Sequence, residues 1–170
     1  LVGIEPAVKP AAQNHRGEKV AVMATPLTLH EEKFKQLVKR YENLATIIPV
    51  PCPDLVEYVE KGILEGPELE GYLKDVLTPC LQEGVKAVVL GCTHFPLVKA
   101  AIGKVVGESV RIYDGGEGTA RQAKCLLAAK NLCTDQEKGH ICFESSAPEK
   151  EAYYEALYRK AAHIDSRVKL

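Results

Sequence analysis

A thiol, a hydroxyl and an imidazole stand side by side in this sequence, at Cys92, Thr93 and His94. The apolar residues 87–90 precede them and predict a short strand buried on both faces, as in a parallel sheet. Pro96 and the apolar spacing after it predict that a helix begins there. Ligands of α/β proteins bind at the carboxyl ends of such strands, and a helix N-terminus favours thiolate and neutral imidazole. The pattern therefore indicates proton transfer at carbon or nucleophilic attack.

A cysteine in such a turn can equally be a core residue beside a surface histidine, because free cysteine is among the most buried residue types. Two features of the sequence favour a functional site instead. Gly91 comes directly before the cysteine, and three polar side chains then follow in a row.

Residues 91–97, Gly-Cys-Thr-His-Phe-Pro-Leu, resemble the second signature of the glutamate racemases, a family that needs no cofactor. Aspartate racemases of the same superfamily usually carry glutamate where His94 stands, so His94 favours the glutamate branch. The resemblance implies that Cys92 is one of two thiol bases, acting on the L-enantiomer. It also implies that His94 assists this thiol, that Thr93 holds substrate, and that the second thiol belongs to a missing N-terminal segment.

Two threonines follow another predicted strand, residues 19–24. Thr28 and Glu31 have the spacing of a capping box, which predicts that Thr28 caps the next helix. The resemblance implies that Thr25 and Thr28 both lie close to the substrate. His30 stands where the family has a small or polar residue, and its role stays open.

The segment from residue 46 to Gly62 predicts a strand followed by a helix. Residues 46–51 contain two prolines, which favour an edge strand or an early end. Asp54 can cap the following helix and Gly62 suits its end. By residue type alone Glu60 is a solvated residue near a helix end, whereas the resemblance implies that it assists the catalytic histidine. Cys52 is expected to be structural.

A fourth predicted strand, residues 110–113, runs into a glycine-rich turn that begins at Asp114. Backbone N–H groups in such a turn can bind an anion, although any tight turn uses glycine. Gly115 also departs from the racemase pattern, in which serine is usual. We therefore leave the role of Asp114 open.

Composition excludes several classes of protein. The 170 residues are 46% hydrophobic with a formal net charge of −1, so neither nucleic acid nor a membrane surface is an expected partner. The six cysteines show neither a C-x-x-C pair nor the spacing of zinc ligands, which argues against a metal site and against the disulfide scaffold of a secreted protein. Reduced thiols in the cytoplasm are therefore expected. No catalytic role is expected for four of them: Cys80, Cys125, Cys133 and Cys142.

Alternation of strands and helices predicts an α/β fold with a parallel sheet. The resemblance refines this to a three-layer lobe of the Asp/Glu racemase type, with a C-terminal segment that returns to the other lobe. The expected divisions are an interlobe connection at residues 1–17, the lobe at 18–123 and the returning segment at 124–170. Within the last, residues 140–146 predict a strand and residues 148–162 a helix.

The function implied by the resemblance is interconversion of L- and D-glutamate without a cofactor, which supplies D-glutamate for peptidoglycan. The expected partners are glutamate, the missing N-terminal half of the enzyme and a second copy in a homodimer. Another amino-acid racemase and a catalytically incomplete glutamate-binding fragment are the alternatives. A thiol hydrolase using Cys92 and His94 ranks last, because it needs an oxyanion hole and an oriented base.

Overall fold

The structure is a computed structural model of the chain, and it describes residues 2–4, 6–134 and 139–167. The chain forms two compact units, one of Glu5–Gly115 and one of Gly116–Leu170 with Leu1–Ile4. In the first unit, helices and strands follow one another in this order: α1 (Val8–Asn14), β1 (Lys19–Ala24), α2 (Pro26–His30), α3 (Glu32–Tyr41), β2 (Thr46–Pro51), α4 (Leu55–Glu60), α5 (Pro67–Gln82), β3 (Ala87–Leu90), a 3₁₀ turn (Phe95–Val98), α6 (Lys99–Val106) and β4 (Arg111–Tyr113).

The four strands form one parallel sheet in the order β2-β1-β3-β4. The predicted parallel α/β sheet is thus confirmed. β2 lies at an edge, as its prolines predict, because an edge strand can lack ladder hydrogen bonds on one side. Since all four strands run in the same direction, their carboxyl ends share one side of the sheet, called here the carboxyl edge.

Both faces of the sheet are covered, which confirms the predicted three layers. Val20 and Val89 belong to a core cluster that includes buried residues of α1 and α3. Neighbouring strand residues such as Met23 and Leu90 point to the opposite face and are also buried. Right-handed crossovers place α5 and α6 on that second face, where the two helices pack against each other.

Residues 1–17 contain a helix, which the expectation of a simple connection did not include. Val8, Ala11 and Ala12 of α1 are buried in the core cluster against β1 and β3. Their i, i+3, i+4 spacing is the helical signal, and Pro10 is tolerated because it lies in the first turn. Whether this segment also connects two lobes stays a prediction.

Two predicted helix starts are wrong in detail. Thr25, not Thr28, caps α2, and Glu31 is the N-cap of the separate helix α3. The extended backbone of Glu31, with φ −65° and ψ 137°, ends one helix and begins the next. Pro96 is the second residue of a 3₁₀ turn that begins at Phe95, and the α-helix proper starts only at Lys99.

The second unit contains α7 (Gly116–Ala129), a 3₁₀ turn (Pro148–Lys150) and α8 (Glu151–Arg167). The predicted C-terminal helix is confirmed. The predicted strand at residues 140–146 is wrong, because these residues form no strand and 64% of Ile141 is exposed. An apolar run becomes a strand only where a partner strand accepts its hydrogen bonds. None of the helices in the described ranges is long and apolar enough to cross a membrane.

Candidate active site

The carboxyl edge of the sheet gathers the residues singled out in the sequence. Thr25 follows β1, Cys92 and His94 follow β3, and Asp114 follows β4. Glu60 ends α4, the helix that comes after β2 and packs against the 3₁₀ turn beyond His94. A parallel sheet thus brings together side chains that lie far apart in the sequence.

A continuous line of polar atoms joins a thiol, an imidazole and a carboxylate. Cys92 Sγ lies 3.6 Å from His94 Nδ1, and His94 Nε2 lies 3.1 Å from Glu60 Oε1. A carboxylate only accepts, so the Nε2 that it contacts carries the proton, and Nδ1 of the neutral ring then presents a lone pair. That lone pair faces the sulfur, so the imidazole can take the proton of the thiol.

The backbone around Cys92 is held by its neighbours on both sides. Gly91 N–H donates to the Met23 carbonyl at 2.8 Å, and a Cβ at Gly91 would lie only 2.6 Å from that oxygen. Phe95 is fully buried, and its N–H donates to the Cys92 carbonyl at 3.2 Å. Only glycine permits this approach to β1, and the buried ring anchors the other end of the loop. Thr93 is exposed between them.

Thr25 and Thr28 form a second polar pair at the end of β1. The Thr28 N–H donates to Thr25 Oγ1 at 3.3 Å, and the two hydroxyl oxygens are 3.0 Å apart. Thr25 therefore caps α2 while both hydroxyls stay partly buried at the carboxyl edge. At the other end of this helix, His30 Nδ1 donates to the Pro26 carbonyl at 2.6 Å. His30 thus satisfies a carbonyl of its own helix.

Asp114 pairs with a lysine that the sequence analysis did not single out. Lys99 Nζ lies 3.0 Å from Asp114 Oδ2, with 27% and 19% of the two side chains exposed. The residues are 15 positions apart, and no pattern in the sequence connects them. Anion binding by the glycine-rich turn after Asp114 stays a prediction.

The other cysteines differ from Cys92 in their surroundings. Burial raises the pKa of Cys52 to about 12, and burial also raises the pKa of Cys80. Both sulfurs donate to backbone carbonyls, of Val50 and Leu77. Cys125, Cys133 and Cys142 are exposed in the second unit. Within the described ranges, no three His, Cys, Asp or Glu side chains could hold a metal ion together.

Because the Cys52 thiol is buried, we predict that the folded chain loses stability at alkaline pH. Burial raises the pKa of this thiol from its ordinary value of 9.0 to about 12 in the folded chain. The thiol therefore contributes fully to stability below pH 9, and this contribution is lost as the pH rises towards 12. Urea unfolding of the wild type and of Cys52→Ala at pH 8 and at pH 10.5 checks this. The wild type should lose more unfolding free energy than the variant over that interval, and equal losses would contradict the prediction.

The fold and this site together define a class of protein. The model of the Asp/Glu/Hydantoin racemase family matches residues 1–123, and the chain belongs to that family. A glutamate racemase of Clostridium kluyveri is 48% identical over 138 residues, 81% of this chain and 53% of the relative. A glutamate racemase of Clostridium perfringens is 43% identical over 151 residues, 88% of this chain and 58% of the relative.

A solved structure gives the same assignment. The crystal structure of Escherichia coli glutamate racemase, in complex with L-glutamate and the activator UDP-MurNAc-ala, superposes with a TM-score of 0.74 at 30% sequence identity. The match covers 93% of this chain and 60% of the E. coli chain. The chain thus spans a little more than half the length of the relatives that it matches.

Proposed function

We propose that this chain is the part of a glutamate racemase that carries the thiol acting on L-glutamate. The observation that carries the proposal is the line of Cys92, His94 and Glu60 at the carboxyl edge. The relatives named glutamate racemase support the substrate. The complete enzyme would supply D-glutamate for peptidoglycan in the cytoplasm, without a metal or an organic cofactor.

Racemisation requires removal of the α-proton from one face of the substrate and delivery of a proton to the other. In this proposal Cys92 removes the proton from L-glutamate, His94 accepts the thiol proton beforehand, and Glu60 holds the ring in the tautomer that can do so. A thiol suits the role because its reference pKa of roughly 8.5 lies close to neutral pH.

The hydroxyls of Thr25, Thr28 and Thr93 would bind the substrate. The support is their position at the carboxyl edge with Cys92 and the L-glutamate bound to the E. coli relative. Donors at this place would also stabilise the charge that develops on the substrate carboxylate as the α-proton leaves.

The opposite thiol would come from an N-terminal half of the enzyme. None of the described side chains of α7 is buried, and 36% of Leu126 and 45% of Leu127 are exposed. Contiguous exposed apolar residues often mark an interaction surface, which supports the expectation that residues 124–170 pack against that half. A homodimer of the complete enzyme is part of the same proposal.

The test compares this chain alone with a chimera in which the N-terminal half of the C. kluyveri relative precedes it. Both proteins are incubated with L-glutamate in D₂O while optical rotation and the α-proton NMR signal are followed. We expect D-glutamate from the chimera and none from the chain alone. Turnover by the chain alone at about 1 per second, typical of enzymes, would mean that a second base lies within it.

Substrate specificity is tested on the same chimera. Because His94 stands where aspartate racemases usually carry glutamate, we expect faster racemisation of glutamate than of aspartate. Equal or faster turnover of aspartate would contradict the glutamate assignment. Glutamate binding without turnover by the chimera would favour the incomplete binding fragment.

A further inference from the structure

We propose that the Lys99–Asp114 ion pair sets the charge beside the Cys92 thiol. Lys99 is then a positioning residue that acts through Asp114, because loss of the ammonium would leave more negative charge near the sulfur and disfavour the thiolate. The inference rests on the proposed role of Cys92, but it concerns the reactivity of the sulfur and can be tested without racemisation.

The register of the sheet places Asp114 next to the strand that carries Cys92. The last pair of the β3–β4 ladder is Val89 with Tyr113, so Asp114 lies level with Leu90, two residues before Cys92. Neighbouring strands are only about 4.8 Å apart. The carboxylate is thus one strand away from the residues that lead directly into the thiol.

The two faces of the sheet explain why Asp114 meets Lys99. Tyr113 packs against the core cluster of α1 and α3, and the next residue of a strand points to the opposite face. That is the face of α6, which begins at Lys99. Asp114 Oδ2 and Lys99 Nζ are 3.0 Å apart there.

The position of Lys99 on its helix is unfavourable for a cation. It is the first residue of α6, where the helix dipole disfavours positive charge. The pair is largely shielded, with 27% of Lys99 and 19% of Asp114 exposed, so solvent screens it less than a surface pair. Balancing the charge of Asp114 at the carboxyl edge would explain why Lys99 stands at a helix position that disfavours positive charge.

Other titratable groups also affect the charge near the Cys92 thiol, and they do not remove the effect expected of Asp114. His94 lies 3.6 Å from the sulfur, and Glu60 contacts the far side of that ring. Burial raises the pKa of the Cys52 thiol to about 12, so this thiol carries no charge at physiological pH. Glu60 is thus already one carboxylate near the thiol, and in this proposal Lys99 weakens the effect of Asp114 as a second.

The experiment measures how fast iodoacetamide alkylates Cys92 in the 170-residue chain, by mass spectrometry of its peptide at neutral pH. Lys99→Met should slow alkylation and Asp114→Asn should speed it, each about two- to fourfold, as expected for unit charges roughly 10 Å apart in a solvated site. The double variant should return close to the wild-type rate. Lys99→Arg keeps the charge and should also leave the rate unchanged.

Opposite changes in the alkylation rate of the two single variants would distinguish an effect of charge from an effect of structure. Both variants break the same pair, so a merely structural role would shift Cys92 reactivity in the same direction in each, and that result would overturn the proposal. Unchanged rates would overturn it as well. Lys104→Met, which removes the exposed pair of α6 with Glu70, is the matched control and should have no effect. Cys52, buried in the folded chain, should stay unmodified and so verifies folding in each sample.

Discussion

Replacing Cys92 by alanine in the proposed complete enzyme is expected to lower racemisation of L-glutamate roughly 100- to 10,000-fold, the usual cost of losing a positioned acid/base group. The imidazole of His94 is not expected to substitute for the thiol, because its Nδ1 faces the position of the sulfur, 3.6 Å away, and its Nε2 contacts Glu60. The chimera with the C. kluyveri N-terminal half is the protein to measure, by circular dichroism of the glutamate.

Proton exchange in D₂O makes this prediction specific to one face of the substrate. In the Cys92→Ala variant the proposed second thiol is intact, so exchange of the α-proton of D-glutamate should persist while that of L-glutamate falls with racemisation. Loss of both exchanges would instead indicate a collapsed site. Ser109→Ala is the control, because Ser109 is exposed just before β4, at the edge of the sheet opposite the carboxyl edge, and this variant should racemise at the wild-type rate. Normal racemisation by Cys92→Ala would contradict its role as a base.

The strands of the sheet could be predicted from the sequence because they are buried on both faces. Residues 87–90 form a short apolar run with no alternation, and all four are buried in β3. The same reasoning failed at residues 140–146, where 64% of Ile141 is exposed. Apolar pattern indicates which residues can form a strand, but hydrogen-bonded pairing depends on a partner strand that local sequence does not specify.

Helix caps were predicted less well, because two caps can compete within a few residues. Thr28 and Glu31 have capping-box spacing, yet Thr25 accepts the N–H of Thr28 at 3.3 Å and begins α2 earlier. Pro26 favours this choice, since proline is most stable in the first turn of a helix. The signal was present in the sequence, but the threonine three residues later gave an equally valid local pattern.

The candidate site divides into residues that are close in the sequence and residues that only the fold brings together. Cys92 and His94 are two positions apart, so their proximity could be predicted from the sequence. Glu60 is 34 residues from His94, and only the family resemblance indicated their contact. The contact of Lys99 with Asp114 depends on the register of β3 and β4 and on the start of α6, which no local pattern determines.

Gly91→Ala is expected to destabilise the chain by about 3 kcal/mol, at the upper end of the usual cost of overpacking a core. The added Cβ would lie 2.6 Å from the Met23 carbonyl oxygen, 3.4 Å from the Ala24 Cβ and 3.5 Å from a Val22 methyl group. The nearest neighbour is backbone in the middle of the sheet, so it cannot rotate away as a side chain could. Relief of the clash would lengthen the 2.8 Å hydrogen bond from Gly91 N–H to Met23.

The matched control for this substitution is Gly71→Ala. Gly71 is an exposed residue inside α5, and a Cβ there meets nothing within 4 Å. Alanine has the higher helix propensity, so this variant should be stabilised by up to about 1 kcal/mol. Urea unfolding followed by circular dichroism gives both values, with the midpoint falling for Gly91→Ala and rising for Gly71→Ala at similar slopes. A Gly91→Ala variant as stable as the wild type would show that the loop before Cys92 can move away from β1. The sulfur would then not be held at its 3.6 Å separation from His94 by the sheet.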